Sequence, residues 1–210
     1  MGVHSLVPVP HDQSLHVYHA PADQRRAIVY LHGVCGNVHA VRSWVDAALA
    51  FGTLIELVAE SPCANRPGRF AWKAPSVAIA QRVDAALAAV KALRGGLLDT
   101  DQVVLFGYSQ GAARVEALAH ENPGRFAHVV LGSPPEKPDP KLLGACESVV
   151  VLGGTEEDTR HLQTGVLALQ ADGIRARYLF LPGAAHGEYG PRARDVVQQA
   201  LLWLLDPPTE

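Results

Sequence analysis

The chain has 210 residues, 48% of them hydrophobic, and a formal net charge of −3 at pH 7. That length and apolar content suit one domain, 1–210, with a sizeable core, better than two small ones. A slightly acidic chain without clustered Lys and Arg lacks the electrostatic footprint of a nucleic-acid binder, so no nucleic-acid partner is expected. No apolar run reaches membrane-spanning length, and Met1-Gly2-Val3-His4-Ser5-Leu6 has no basic stretch followed by an apolar one. The sequence therefore reads as a cytoplasmic protein with no membrane span, or as a secreted one whose signal peptide has been removed. Nothing in it indicates an oligomeric state.

Taken in order, short β-branched or apolar runs alternate with longer amphipathic stretches, the pattern of an α/β protein with a mostly parallel sheet and crossover helices. Residues 15–19 and 27–31 read as strands, 40–50 as a helix and 53–59 as a strand. Residues 61–75, rich in Pro, Gly and Arg, read as an irregular loop carrying Phe70 and Trp72. Ser76 is then expected to cap a helix over 77–93, which ends at Gly95-Gly96. A strand over 102–106 and a helix over 112–120 follow. Strands over 127–131, 148–152 and 176–181, a helix over 161–171 and a last helix over 193–205 complete the pattern.

Three cysteines, Cys35, Cys63 and Cys146, leave one unpaired under any scheme and have no zinc-ligand spacing. The expectation is partly buried free thiols. The alternative is a Cys35–Cys63 bridge, since both residues lie in loops after neighbouring strands; it requires an oxidising compartment. His16 and His19 fall on opposite faces of their strand and make no metal pair, so no metal is expected.

Gly107-Tyr108-Ser109-Gln110-Gly111 matches the G-x-S-x-G turn that exposes a serine oxygen between a strand and a helix, and it lies between such elements here. A serine hydroxyl is a poor nucleophile until a base takes its proton. Of ten histidines, His186 alone occupies the loop between the last strand and the last helix, where an imidazole reaches the sheet's carboxyl edge. A carboxylate must orient that imidazole and stabilise its protonated form. After Gly153-Gly154 come Thr155-Glu156-Glu157-Asp158. Strand-end spacing leans to Glu157, whereas the shorter side chain favours Asp158, and both stay open. The backbone N–H groups of Val34, in Leu31-His32-Gly33-Val34-Cys35-Gly36, and of Gln110 are the candidate oxyanion donors, with His32 bracing its loop. No cofactor is expected, since serine chemistry needs neither metal nor nucleotide and no phosphate-binding glycine loop is present.

Through His32-Gly33, residues 107–111, residues 154–158 and His186-Gly187, the chain resembles the α/β-hydrolase superfamily over nearly its whole length. Its size and H-G loop are similar to those of small carboxylesterases, acyl-protein thioesterases and dienelactone-hydrolase-like proteins, although the nucleophile is not the dienelactone-hydrolase cysteine. The resemblance implies an α/β-hydrolase fold acting on a small-molecule ester or thioester through an acyl-enzyme. In the family pattern Asp usually stands three residues after the glycine, where this chain has Glu157. Many relatives carry a helical cap where this chain has only the Pro-rich residues 132–147, so little or no cap is expected, and residues 61–75 become the candidate substrate wall. A non-catalytic binder on the same scaffold and a serine peptidase or amidase are the alternative functions.

Overall fold

Strands and helices alternate along the computed structural model, which describes residues 3–36 and 39–206. Eight strands form one sheet in the order β1 (Val3–Val7), β2 (Leu15–His19), β4 (Thr53–Leu57), β3 (Arg26–Leu31), β7 (Asp99–Tyr108), β8 (His128–Gly132), β9 (Ser148–Gly154) and β10 (Arg175–Leu181). β2 runs antiparallel to β1 and β4, and the other neighbouring pairs are parallel. Strands β5 (Ser61–Pro62) and β6 (Phe70–Ala71) make a separate antiparallel pair.

Strand β3 shows how the layers form. Ile28 and Tyr30 face a core shared with α1 (Val45–Ala48) and α6 (Ala193–Leu205). Val29 and Leu31 face the opposite core, filled by α2 (Ser76–Leu93), α3 (Gln110–Glu121) and α5 (Arg160–Ala171). Burial on both faces explains why the middle strands read as continuous apolar runs rather than alternating ones. Each large aliphatic side chain so buried contributes roughly 1.5–3 kcal/mol. Among the described residues no helix is long and apolar enough to cross a membrane.

Several expectations need correction. Residues 40–50 do not form one helix: a 3-10 turn, Ala40–Ser43, gives way at Trp44 (φ −138°) to the four residues of α1. At the break the Trp44 ring, 1% exposed, packs against Phe106 and Tyr30. Ser76 is the first helical residue rather than the cap; Pro75, extended at ψ 156°, precedes it and no side chain caps the end. Strand β1 escapes a sequence reading because it is a largely exposed edge, held by its antiparallel pairing with β2 rather than by an apolar face. The polar start of β7 hides its first residues, which pair with β3 through the Asp99 N–H to Arg25 O bond. His16 and His19 do diverge, pairing with His4 and Ser5 respectively.

Cys35 and Cys63 are disulfide-bonded, contrary to the free-thiol expectation, and only Cys146 is free. β3 and β4 are parallel neighbours, so the loops leaving them start from the same sheet edge and bring the two Cα atoms to 5.9 Å. Between β8 and β9 the one element is α4 (Pro140–Leu143), a single turn whose N-cap Asp139 accepts from the Lys141 N–H at 2.9 Å. No cap covers the sheet there.

Candidate active site

Parallel strands deliver their carboxyl ends to one edge, and loops after β7, β9 and β10 meet there. Ser109 occupies the turn between β7 and α3 with φ +51° and ψ −117°. A side chain in that region costs about 1–3 kcal/mol and must be held by its surroundings. The Ser109 N–H to Gly132 O bond, 2.7 Å, is one restraint. The flanking glycines are required sterically. A Cβ at Gly107 would lie 2.4 Å from Gly111 O, and one at Gly111 only 2.0 Å from Leu31 O.

The loop after β10 places His186 Nε2 3.0 Å from Ser109 Oγ. Its Nδ1 lies 2.9 Å from Glu157 Oε2. Glu157 Oε1 accepts two further bonds, from Ser133 Oγ at 2.5 Å and from the Gly154 N–H at 2.7 Å. Burial pushes the Glu157 carboxyl up, but these bonds and the one from His186 outweigh it and hold the group below its ordinary range. The turn after Gly154 thus folds the third residue back onto that glycine's own amide. Asp158, the next residue, points to solvent and pairs with Arg160, whose hydrogen bonds depress its carboxyl. Of the two carboxylates left open by the sequence, the structure brings Glu157 to His186 and leaves Asp158 outside.

The histidine loop is tied to the serine turn by a residue inside the motif. The Gly187 N–H donates to Tyr108 Oη at 2.9 Å, and Tyr108 Oη donates to Glu188 O at 3.3 Å. On the opposite side, buried His32 donates from Nδ1 to Gly33 O at 2.7 Å and accepts at Nε2 from the Ala59 N–H at 3.0 Å. Those partners assign a neutral imidazole, consistent with burial lowering its pKa, and the ring braces the loop. Val34 is 56% exposed and lies on the wall beside Ser109. Gln110 is the first residue of α3, where a backbone N–H has no intrahelical acceptor. Its side chain is committed elsewhere: Oε1 accepts from the Trp72 N–H at 2.9 Å and Nε2 donates to Trp72 O at 3.1 Å.

A cavity of about 220 Å³ opens beside Ser109, lined by Tyr30, Gly33, Val34, Arg69, Tyr108 and Tyr189 among others. From the loop 61–75, Arg69 reaches this wall, whereas Trp72 is fully buried and packs beneath it. Among the described residues no three His, Cys, Asp or Glu side chains are grouped to hold a metal ion. The supporting roles of Ser133, Tyr108 and Trp72 do not stand out in the sequence. Ser133 follows a strand with no motif around it, and Tyr108 fills a position the serine motif leaves unspecified.

No family profile and no curated protein matches this sequence. Solved structures do match. A Xanthomonas campestris protein described as an α/β serine hydrolase without lid is 17% identical with a TM-score of 0.65, over 99% of this chain and 97% of its own. A carboxylesterase from Mesorhizobium loti is 20% identical with a TM-score of 0.63, over 97% of this chain and 100% of its own. A dienelactone hydrolase from Anabaena variabilis is 18% identical with a TM-score of 0.69, over 97% and 96%. Similarity at this level of identity speaks to architecture, and with the strand order above it establishes that this chain has the α/β-hydrolase fold in its lidless form.

Proposed function

We propose that the protein is a serine hydrolase that cleaves small carboxylic esters, or thioesters, through an acyl-enzyme on Ser109. The observation that carries this reading is the continuous path Ser109 Oγ, His186 Nε2, His186 Nδ1, Glu157 Oε2, with contacts of 3.0 and 2.9 Å. In this reading Ser109 Oγ attacks the carbonyl carbon while His186 Nε2 takes its proton, and Glu157 stabilises the imidazolium that results. The N–H groups of Val34 and Gln110 receive the negative oxygen of the tetrahedral intermediate, helped by the positive end of α3. Collapse expels the alcohol or thiol, which takes the proton from Nε2. Water, activated by the same histidine, then releases the acid.

A cavity of about 220 Å³ is smaller than the usual range for drug-sized ligands and suits a short acyl group. Arg69 and the lack of a cap leave one side of the site polar and open. The disulfide shifts the compartment we propose from the cytoplasm to an oxidising one, where such bridges persist. The test is hydrolysis of p-nitrophenyl acetate, butyrate and octanoate by wild type and Ser109→Ala. Turnover of the two short esters that vanishes in the variant supports the reading; wild-type rates no higher than those of Ser109→Ala on all three overturn it.

A further inference from the structure

The two backbone amides assigned above to the oxyanion sit on separate segments, and one loop contacts both. Residues 61–72 reach the Val34 segment through the Cys35–Cys63 disulfide and through the bridge pairing of Gly36 with Phe70. They reach the Gln110 segment through the paired bonds between Trp72 and the Gln110 side chain. The Trp72 indole N–H also donates to His32 O at 2.7 Å, at the root of the first segment. The loop is itself shaped by the β5–β6 pair and by the Cys63 N–H to Arg69 O bond of 2.8 Å.

The Val34 end is the weaker one. Val34 is exposed and packs in neither core, and the next residue, Cys35, is held at φ +48°, a conformation that a side chain disfavours. At the Gln110 end a helix fixes the amide already. The disulfide is thus the one covalent restraint among the described residues on a loop whose position sets one of the two oxyanion donors.

We infer that the Cys35–Cys63 bridge is a positioning element of the oxyanion hole, so that turnover requires the pair to be oxidised. This rests on the serine-hydrolase reading. Opening the bridge is ordinary thiol–disulfide exchange: a dithiol's thiolate attacks one sulfur, its second thiol resolves the mixed disulfide, and the dithiol leaves as its own cyclic disulfide. Two electrons and two protons pass from the dithiol to Cys35 and Cys63. The sheet stays intact, because neither cysteine belongs to either core. Since the oxyanion forms only along the reaction path, loosening its donor lowers kcat and spares KM.

The test compares kcat and KM for p-nitrophenyl butyrate in the oxidised wild type, the wild type treated with dithiothreitol, and Cys35→Ser/Cys63→Ser. Thiols are counted by mass after alkylation, and folding is checked by circular dichroism at the assay temperature. Reduction should raise the free thiols from one to three and lower kcat by about 10- to 100-fold, with KM within about threefold. Reoxidation restores kcat, and the double variant starts low and ignores the reductant. An unchanged kcat with three free thiols overturns the inference. So does joint loss of kcat, KM and folded structure, which would make the bridge merely structural. If the double variant does not fold, the reduction arm on the native chain decides. Activity in oxidised wild type that is absent in Ser109→Ala but indifferent to reduction refutes this inference alone; no Ser109-dependent activity in oxidised wild type refutes the reading beneath it.

Discussion

Replacing Glu157 by Gln changes no more than one heavy atom at the acid position, yet the bonding around it makes the consequence large. Two donors, Ser133 Oγ–H and the Gly154 N–H, converge on Oε1, so the amide oxygen of the substituted side chain takes that place. Its NH2 group then faces His186 Nδ1, where Oε2 of the native carboxylate accepts. A donor opposite Nδ1 forces that nitrogen to carry the lone pair and moves the ring proton to Nε2. In the proposed mechanism Nε2 is the atom that accepts from Ser109. The opposite amide orientation sets NH2 against two donors and gains nothing. Loss of both the correct tautomer and the charge that stabilises the imidazolium should lower kcat by about 10³- to 10⁴-fold, or roughly 4–5.5 kcal/mol in activation free energy. Asp158→Asn, which touches only the exposed pair with Arg160, should stay within about twofold of wild type. The assay is kcat for p-nitrophenyl butyrate in each variant, with folding verified. A Glu157→Gln protein keeping more than about a tenth of wild-type kcat, or an Asp158→Asn protein more impaired than it, would refute the reasoning.

Three further outcomes follow from the structure. Ser133→Ala removes a charge-assisted bond to Glu157 of about 1.5–3 kcal/mol and should lower kcat by up to about 10- to 150-fold, measured on the same ester. Because Glu157 is held below its ordinary range, it stabilises the fold above the unfolded carboxyl pKa and loses that contribution as pH falls through the folded value; in Ser133→Ala this loss should begin at higher pH, read from acid unfolding curves. Glu116, buried on α3, behaves in the opposite sense: burial pushes its carboxyl up to about 7. The folded state therefore keeps a proton that the unfolded chain releases near pH 4.5, and stability falls between these values by up to roughly 3 kcal/mol as pH rises. Glu116→Gln should flatten that slope in urea titrations at pH 5 and 7.5, and equal slopes in the two proteins would contradict the assignment.

How much of this is legible in the sequence varies with the kind of signal. The parallel strands buried on both faces, such as β3 and β8, show as unbroken apolar runs, and α6 shows by its helical spacing up to Leu205. Edge strand β1 carries no such pattern, and the stretch 40–50, whose buried Val41, Trp44, Val45 and Ala48 keep helical spacing, breaks at Trp44 with no mark in the sequence. At the site, Ser109 and His186 stand out because local chain geometry dictates their neighbours. The choice between Glu157 and Asp158 turns on which way a short turn faces, decided by the Gly154 amide and by Ser133, from a different strand end. The Cys35–Cys63 pairing is legible only as an alternative, since it follows from the adjacency of β3 and β4, and strand order is not fixed by any local pattern.

The most direct test of the proposed nucleophile is stoichiometric labelling of the folded protein with a fluorophosphonate, read by intact mass and peptide mapping. One equivalent on the peptide containing Ser109, formed with loss of fluoride and absent in Ser109→Ala, is the expected result. A folded wild-type protein that takes up no label, or takes it up on another residue, would contradict the serine-hydrolase reading and favour a binding role for the scaffold.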